Sequence, residues 1–217
     1  MSRFRLIVFD LDGTLVDSKR DLAESANRLL VECGGRALTE EAIGGMVGNG
    51  APVLVARTFE AAGVSAPSDA VARFLEIYDG RLLAHTRPYP QMADVLAALA
   101  ARAALAVLTN KPLAATRAIL TGLDLARYFP DDAVLGGDGP FPRKPDPGGL
   151  RHLASRAKTP PAETLLVGDS LVDFRTARSA SSPVCLARYG FGFAGFPLAE
   201  LGPDDLIIDR PADLLTL

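Results

Sequence analysis

The chain has 217 residues, 48% hydrophobic and 23% charged, with a formal net charge of −3; that is enough apolar material to bury a core, in one large domain or two small ones. Its 23 Lys and Arg are scattered, so no basic stripe points to nucleic acid or an anionic membrane. No apolar run is long enough for a membrane span or a signal-peptide core, and Cys33 and Cys185 lie in no metal-spaced cluster; the chain reads as a reduced cytoplasmic protein with both thiols acting as small buried hydrophobes.

The first element is the apolar run Leu6–Phe9, a strand that ends in Asp10-Leu11-Asp12-Gly13-Thr14. Carboxylates two positions apart at a strand end project to one side, and Gly13 permits a sharp turn. Two such charges repel, so a cation between them is a natural solution, and hard oxygen ligands suit Mg²⁺. A plain turn capped by Asp12 would use the same residues without a metal.

The next strand lies roughly a hundred residues on, where a βαβ unit needs only about thirty. The surplus, residues 18–85, contains no good strand and reads as four helices over 21–32, 39–46, 52–62 and 68–84. Gly34-Gly35 closes the first, and Ser68 stands as N-cap of the last. These predict a small helical domain, 18–85, inserted into an α/β domain made of 1–17 and 86–217. Its hinges are expected at 13–18 and 85–90, the latter stiffened by Pro88 and Pro90.

Beyond the insertion, strands at 105–108, 133–135, 164–167, 184–186 and 206–208 alternate with helices at 91–101, 113–121, 149–157 and 172–180. The strands are nearly all apolar rather than alternating, which predicts a mainly parallel sheet covered on both faces. Three strand ends carry polar residues. Thr109-Asn110-Lys111-Pro112 precedes a helix, whose N-terminus can hold an anion, although Thr-Asn before Pro is also an ordinary turn. Arg143-Lys144-Pro145-Asp146-Pro147 is a proline-stiffened loop able to aim the Lys144 ammonium inward at a phosphate. Gly168-Asp169-Ser170-Leu171-Val172-Asp173 brings a second pair of aspartates, which could equally be a helix cap. Residues 189–196, alternating Gly and Phe, read as a loop packed on the core, and His85 and His152 as a hinge contact and a surface helix position.

Acid pair, hydroxyl, lysine and acid pair, each at the carboxyl end of an expected strand or in the loop that follows and in this order, resemble the haloacid dehalogenase-like hydrolase superfamily. Within it the chain is most similar to the phosphoglycolate phosphatase family, on the strings DLDGTLVDS (10–18), VGNG (47–50), HTRPYP (85–90), LTNKP (108–112), RKPDP (143–147), GDSLVD (168–173) and RYG (188–190). The resemblance implies a Rossmann-like parallel core with an all-helical cap, and a Mg²⁺-dependent phosphatase acting on a small phosphorylated metabolite through an aspartyl phosphate on Asp10. It implies that Asp12 is the general acid and base and a metal ligand through its carbonyl. Asp10 and Asp169 would ligate the metal, with Asp173 beside it. Gly13, Thr109, the Asn110 amide and Lys144 would hold the phosphoryl group, and Asn49 the rest of the substrate. Phosphoglycolate is the first choice of substrate. A sugar phosphate, pyrophosphate, a nucleotide, a phosphomutase reaction or a non-catalytic phosphate-binding role remain open alternatives, and the oligomeric state is not legible. Two departures from the family pattern are Gln91, where a Gly usually follows the Pro, and Ser181-Ser182, where a glycine-type helix end is usual.

Overall fold

Residues 6–9 carry four apolar side chains in a row and bury all four. Ile7 and Phe9 enter one apolar cluster and Leu6 and Val8 another, as the period-2 alternation of a strand covered on both faces requires. The structure is a computed structural model that describes residues 3–217. In chain order its elements are β1 (Leu6–Phe9), β2 (Val16–Asp17), α1 (Lys19–Glu32), α2 (Glu40–Gly44), α3 (Ala51–Ala61), α4 (Ala70–Asp79), β3 (Arg87–Pro88), α5 (Met92–Ala100), β4 (Ala104–Leu108), α6 (Leu113–Gly122), β5 (Val134–Leu135), α7 (Gly148–Arg156), β6 (Thr164–Gly168), α8 (Leu171–Ala180), β7 (Val184–Ala187) and β8 (Leu206–Ile208).

Six strands form one parallel sheet in the order β5-β4-β1-β6-β7-β8. The chain steps outward from β1 to β4 and β5, then returns to the other side of β1 at β6 and steps outward again. Strand order therefore reverses at β1, which opens a crevice at the carboxyl ends of β1, β4 and β6, the usual ligand position in open α/β sheets.

Helices α1–α4 share a separate apolar cluster that includes Leu22, Leu29, Ile43, Leu54, Phe59, Phe74 and Tyr78. The Phe74 and Tyr78 rings stack at 5.9 Å. Each such buried side chain contributes roughly 1.5–3 kcal/mol. Two helices are shorter than their sequence pattern. The 39–46 segment is helical only over α2, with the Thr39 hydroxyl accepting from the Ala42 amide at 3.2 Å. The 68–84 segment is helical only over α4: Asp69, not Ser68, holds the N-cap position, and the helix stops at Gly80.

The segments expected to be hinge loops are instead paired. β2 and β3 form an antiparallel two-stranded ribbon, Val16 opposite Pro88 and Asp17 opposite Arg87. Just beyond it, buried Asp21 accepts at one oxygen, Oδ2, from the backbone N–H groups of His85 (2.8 Å) and Thr86 (2.7 Å) and from the Thr86 hydroxyl (2.8 Å). Gln91, the expected departure, is left-handed at φ 65 and starts α5, and Ser181 is left-handed at φ 57 and ends α8. Both positions therefore adopt the backbone that favours glycine without having one. Cys185 is buried as expected, but Cys33 is only half-buried at the end of α1. Among the described residues no helix is long and apolar enough to cross a membrane.

Candidate active site

Asp10 follows β1 directly, its N–H donating to Val167 O at 2.9 Å, so the β1–β6 ladder fixes it at the sheet's reversal point. The chain then turns: Gly13 N–H donates to Val16 O at 2.9 Å and the Leu15 amide to Leu11 O at 3.0 Å. Gly13 has φ 83, and a Cβ there would overlap the Asp169 carboxylate. The turn thus needs glycine both for its backbone and for the close approach of the carboxylate after β6. Thr109 and Asn110 follow β4, Asp169 and Ser170 lead from β6 into α8, and Lys144 lies on the long loop between β5 and α7. All are buried.

Carboxylate oxygens of Asp10, Asp169 and Asp173 lie within 4.8 Å of one another. Lys144 Nζ stands 2.9 Å from Asp10 Oδ1 and 2.6 Å from Asp173 Oδ1. The other Asp173 oxygen accepts from the Ser170 amide (3.1 Å) and hydroxyl (2.6 Å), so this carboxylate caps α8 and aims Lys144 at once. Asp169 Oδ2 accepts from Gly192 N–H at 2.7 Å. Burial pushes the Asp10 carboxyl up to about 6, with Asp173 and Asp12 adding to it and Lys144 opposing it. Burial also holds Asp169 well above the usual carboxylate range, with Asp173 and Asp10 adding to it. For Lys144, burial favours the neutral amine, but Asp10 and Asp173 outweigh it and hold the ammonium above its ordinary range.

Three buried acids and one ammonium leave negative charge uncompensated. Asp10 Oδ1 is buried and accepts no aligned hydrogen bond among the described residues, although Lys144 approaches it. An all-oxygen donor set with a deficit of positive charge fits a hard divalent cation such as Mg²⁺. Asp10 and Asp169 would hold such a cation.

Asp12 lines the same cavity as Asp10 but is engaged by a second lysine. Lys111 Nζ donates to both of its oxygens, each at 2.8 Å, and the Ser18 hydroxyl to Oδ1 at 2.5 Å. The same ammonium lies 4.6 Å from the ring centroid of Tyr78 in α4. Burial disfavours the Lys111 charge, but Asp12 and Tyr78 outweigh it and hold the group above its ordinary range. Between α1, α3, α4 and the loops after β1 and β4 is a cavity of about 40 Å³, counted as the space open to the centre of a water molecule. Asp10, Asp12, Thr109, Asn110, Lys111 and Tyr78 line it, with Gly48 and Gly50.

Of the residues singled out from sequence, Asp10, Asp12, Thr109 and Asn110 line this cavity, while Lys144, Asp169 and Asp173 lie around Asp10. Asn49 is not among its lining residues; its neighbours Gly48 and Gly50 are. Three contributions escaped the sequence reading. Lys111 belonged to a recognised string, but no role was assigned to it. The Asn110 side chain, and not only its amide, joins three loops: Nδ2 donates to Gly48 O (2.8 Å) and Lys144 O (3.0 Å), and Oδ1 accepts from Lys144 N–H (2.9 Å). The 189–196 segment packs on the core as expected and also buttresses the site. Gly190 sits where a Cβ would overlap Gly13 O and Asp169, and the Tyr189 hydroxyl donates to Thr14 O at 3.0 Å. His152 is an exposed helix position as expected, with its ring 4.7 Å from that of Phe141.

Residues 4–181 match the model of the haloacid dehalogenase-like hydrolases. Among curated proteins, the chain is 42% identical over 207 residues to a phosphoglycolate phosphatase of Rhodospirillum rubrum, covering 91% of this chain and 84% of that one. It is 40% identical over 208 residues to the plasmid phosphoglycolate phosphatase of Cupriavidus necator, covering 93% and 87%. Among solved structures, a predicted phosphoglycolate phosphatase from Haemophilus somnus superposes with a TM-score of 0.90 at 35% identity, covering 100% of this chain and 98% of that one.

Proposed function

The chain belongs to the haloacid dehalogenase-like hydrolase family, and on that premise we propose that it is a phosphatase that hydrolyses 2-phosphoglycolate through an aspartyl phosphate on Asp10. The observation that carries the reading is the buried ammonium of Lys144 held between Asp173 and Asp10, the latter lining the small cavity and clustered with Asp169.

In this reading an Asp10 carboxylate oxygen attacks phosphorus in line. A P–O(Asp10) bond forms, the P–O bond to the alcohol breaks, and Asp12, protonated and released from one of its two Lys111 bonds for this step, gives its proton to the departing alkoxide. Asp12, now a carboxylate, takes a proton from a water that attacks the same phosphorus. The P–O(Asp10) bond breaks, inorganic phosphate forms and the Asp10 carboxylate is restored. Thr109, the Asn110 amide and Lys144 hold the phosphoryl oxygens, and Gly13 leaves room for them. Such transfer needs alignment and charge neutralisation above all. Mg²⁺, bound by the Asp10 and Asp169 carboxylates and the Asp12 carbonyl, with Asp173 behind Lys144, would supply the remaining positive charge.

We read residues 18–85 as a cap and residues 1–17 and 86–217 as the catalytic core, the first two residues lying outside those described. The separate apolar cluster of α1–α4, the β2–β3 ribbon at the junction and the Asn110–Gly48 contact support this division. The cavity beside Asp10 and Asp12 is lined from the helical segment by Leu22, Ala51, Leu54, Phe74 and Leu75, so the leaving group is enclosed largely by apolar side chains. A small phosphorylated metabolite in a cytoplasmic setting, where free Cys33 and Cys185 are at home, completes the reading. The test is a panel of phosphate esters assayed with and without Mg²⁺. Metal-dependent release of phosphate from 2-phosphoglycolate, ahead of glucose 6-phosphate and nucleoside monophosphates, is expected; a metal-independent rate or a preference for the larger esters would overturn it.

A further inference from the structure

Removing the phosphoryl machinery from the cavity leaves one polar pair without a task. Lys111 is the one cation among the described residues that line the cavity, and it is 6% exposed. An ammonium has three N–H donors. Two are directed at Asp12 Oδ1 and Oδ2. The group also sits 4.6 Å from the centroid of the Tyr78 ring. Tyr78 lines the same cavity and is 2% exposed, and its buried hydroxyl has no hydrogen-bond partner among the described residues. Leaving a buried hydroxyl unpaired is unfavourable unless something else occupies the position. An ammonium donor not spent on Asp12 and a phenol without a partner therefore stand side by side in the wall of one cavity. The side chains that α1, α3 and α4 otherwise contribute, Leu22, Ala51, Leu54, Phe74 and Leu75, are apolar.

We propose that Lys111 and Tyr78 form the leaving-group subsite, and that this subsite takes a carboxylate carried within one carbon of the ester oxygen. The inference rests on the phosphatase reading above and adds which residues choose the substrate. A carboxylate has two acceptor oxygens, matching one ammonium N–H and one phenol O–H. Lys111 comes from the core and Tyr78 from the helical segment, so the pair can close on the substrate's acid group only when the two are apposed as here. Arg143 is the other cation near the Gly50 loop, but it is exposed, donates through Nε to Gly137 O at 2.8 Å and does not line the cavity. Specificity then follows from the penalty on a neutral substrate, which would bury this donor pair without an acceptor.

The experiment compares kcat/KM for 2-phosphoglycolate with that for 2-hydroxyethyl phosphate, which has the same chain length and a neutral end. The wild-type protein should favour the acid by on the order of 100-fold, the size expected for one buried charged contact. Lys111→Met should reduce that ratio at least about tenfold, chiefly through KM for the acid, and Lys111→Arg should restore part of it. Because Lys111 also touches Asp12, Tyr78→Phe is the second arm: it keeps the volume, leaves Asp12 alone and should move the ratio the same way by several-fold. Equal proportional losses on both esters in Lys111→Met, with an unchanged ratio in Tyr78→Phe, would show a merely structural pair and overturn the proposal. Wild-type protein that hydrolyses both esters equally would leave the phosphatase reading standing and remove this one; protein that hydrolyses neither would remove both.

Discussion

Replacing Asp21 by Asn tests how the cap is tied to the core. One oxygen of this fully buried carboxylate accepts three hydrogen bonds from the re-entering chain at His85 and Thr86, and the other faces Arg81 Nη2 at 3.4 Å. An Asn oxygen can accept the same three bonds, but without charge. Bonds to a charged group contribute about 1.5–3 kcal/mol and neutral ones about 0.5–1.5, so three bonds losing about 1 kcal/mol each predict a loss of ~3 kcal/mol. At about 2–4 °C per kcal/mol for a chain of this size, Tm should fall by roughly 6–12 °C. Asp21→Ala, which strands two backbone N–H groups, should cost about as much or more. Acid has a defined sign here. Burial works against the Asp21 charge, yet the bonds from His85, Thr86 and Arg81 outweigh it and hold its carboxyl below the ordinary value of 3.8. The unfolded chain therefore takes up the proton first, and this contribution is lost as pH falls below 3.8 toward the folded-state value. The stability gap between wild type and Asp21→Asn should narrow over that range. Urea unfolding at several pH values, with amide exchange read at Thr86, measures both effects. A loss below about 0.5 kcal/mol with unchanged exchange at Thr86 would refute the reasoning, since that is the scale of an ordinary surface substitution.

Calorimetric titration with Mg²⁺ should show a larger loss of affinity for Asp169→Ala than for Asp173→Ala, because both Asp173 oxygens are already engaged by Ser170 and Lys144; the reverse order would exchange their roles. Gln91→Gly should raise Tm by a few degrees, since an L-residue in the left-handed region costs about 1–2 kcal/mol and glycine returns about 0.5–1 of it through the freer unfolded chain; a lower Tm would show that the Gln91 side chain matters. Lys144→Met should abolish hydrolysis of every ester and lower stability by about 3–5 kcal/mol, the cost of breaking a buried ion pair, whereas Asn49→Ala, outside the cavity lining, should leave kcat/KM within about twofold for every ester.

The sheet was legible because four- and five-residue apolar runs such as Leu6–Phe9 and Ala104–Leu108 have few other uses. The acid pairs and Lys144 were legible because the acids stand at strand ends with fixed local spacing and the lysine in a proline-stiffened loop ahead of a helix. The shortened α4 was not: Arg81, Leu82 and Leu83 continue a helical pattern, but Arg81 is drawn off to pair with Asp21 and Glu24. The β2–β3 ribbon escaped because two-residue strands carry no periodicity and Pro88 argues against a strand. Lys111, the Asn110 side chain and Gly190 act only where loops more than twenty residues apart in sequence converge. Local spacing holds no record of such meetings; the one available sign was that LTNKP and RYG stood out as strings before they had a mechanism.

The covalent intermediate on Asp10 is the claim from which the rest follows. Protein mixed with Mg²⁺ and 2-phosphoglycolate, stopped in acid within one turnover and digested, should yield the peptide containing Asp10 heavier by one phosphoryl group. The same treatment of Asp10→Asn should yield neither the adduct nor free phosphate, with a circular dichroism spectrum matching wild type. Turnover by a verified Asp10→Asn sample, or a phosphoryl group found on any residue other than Asp10, would contradict the account.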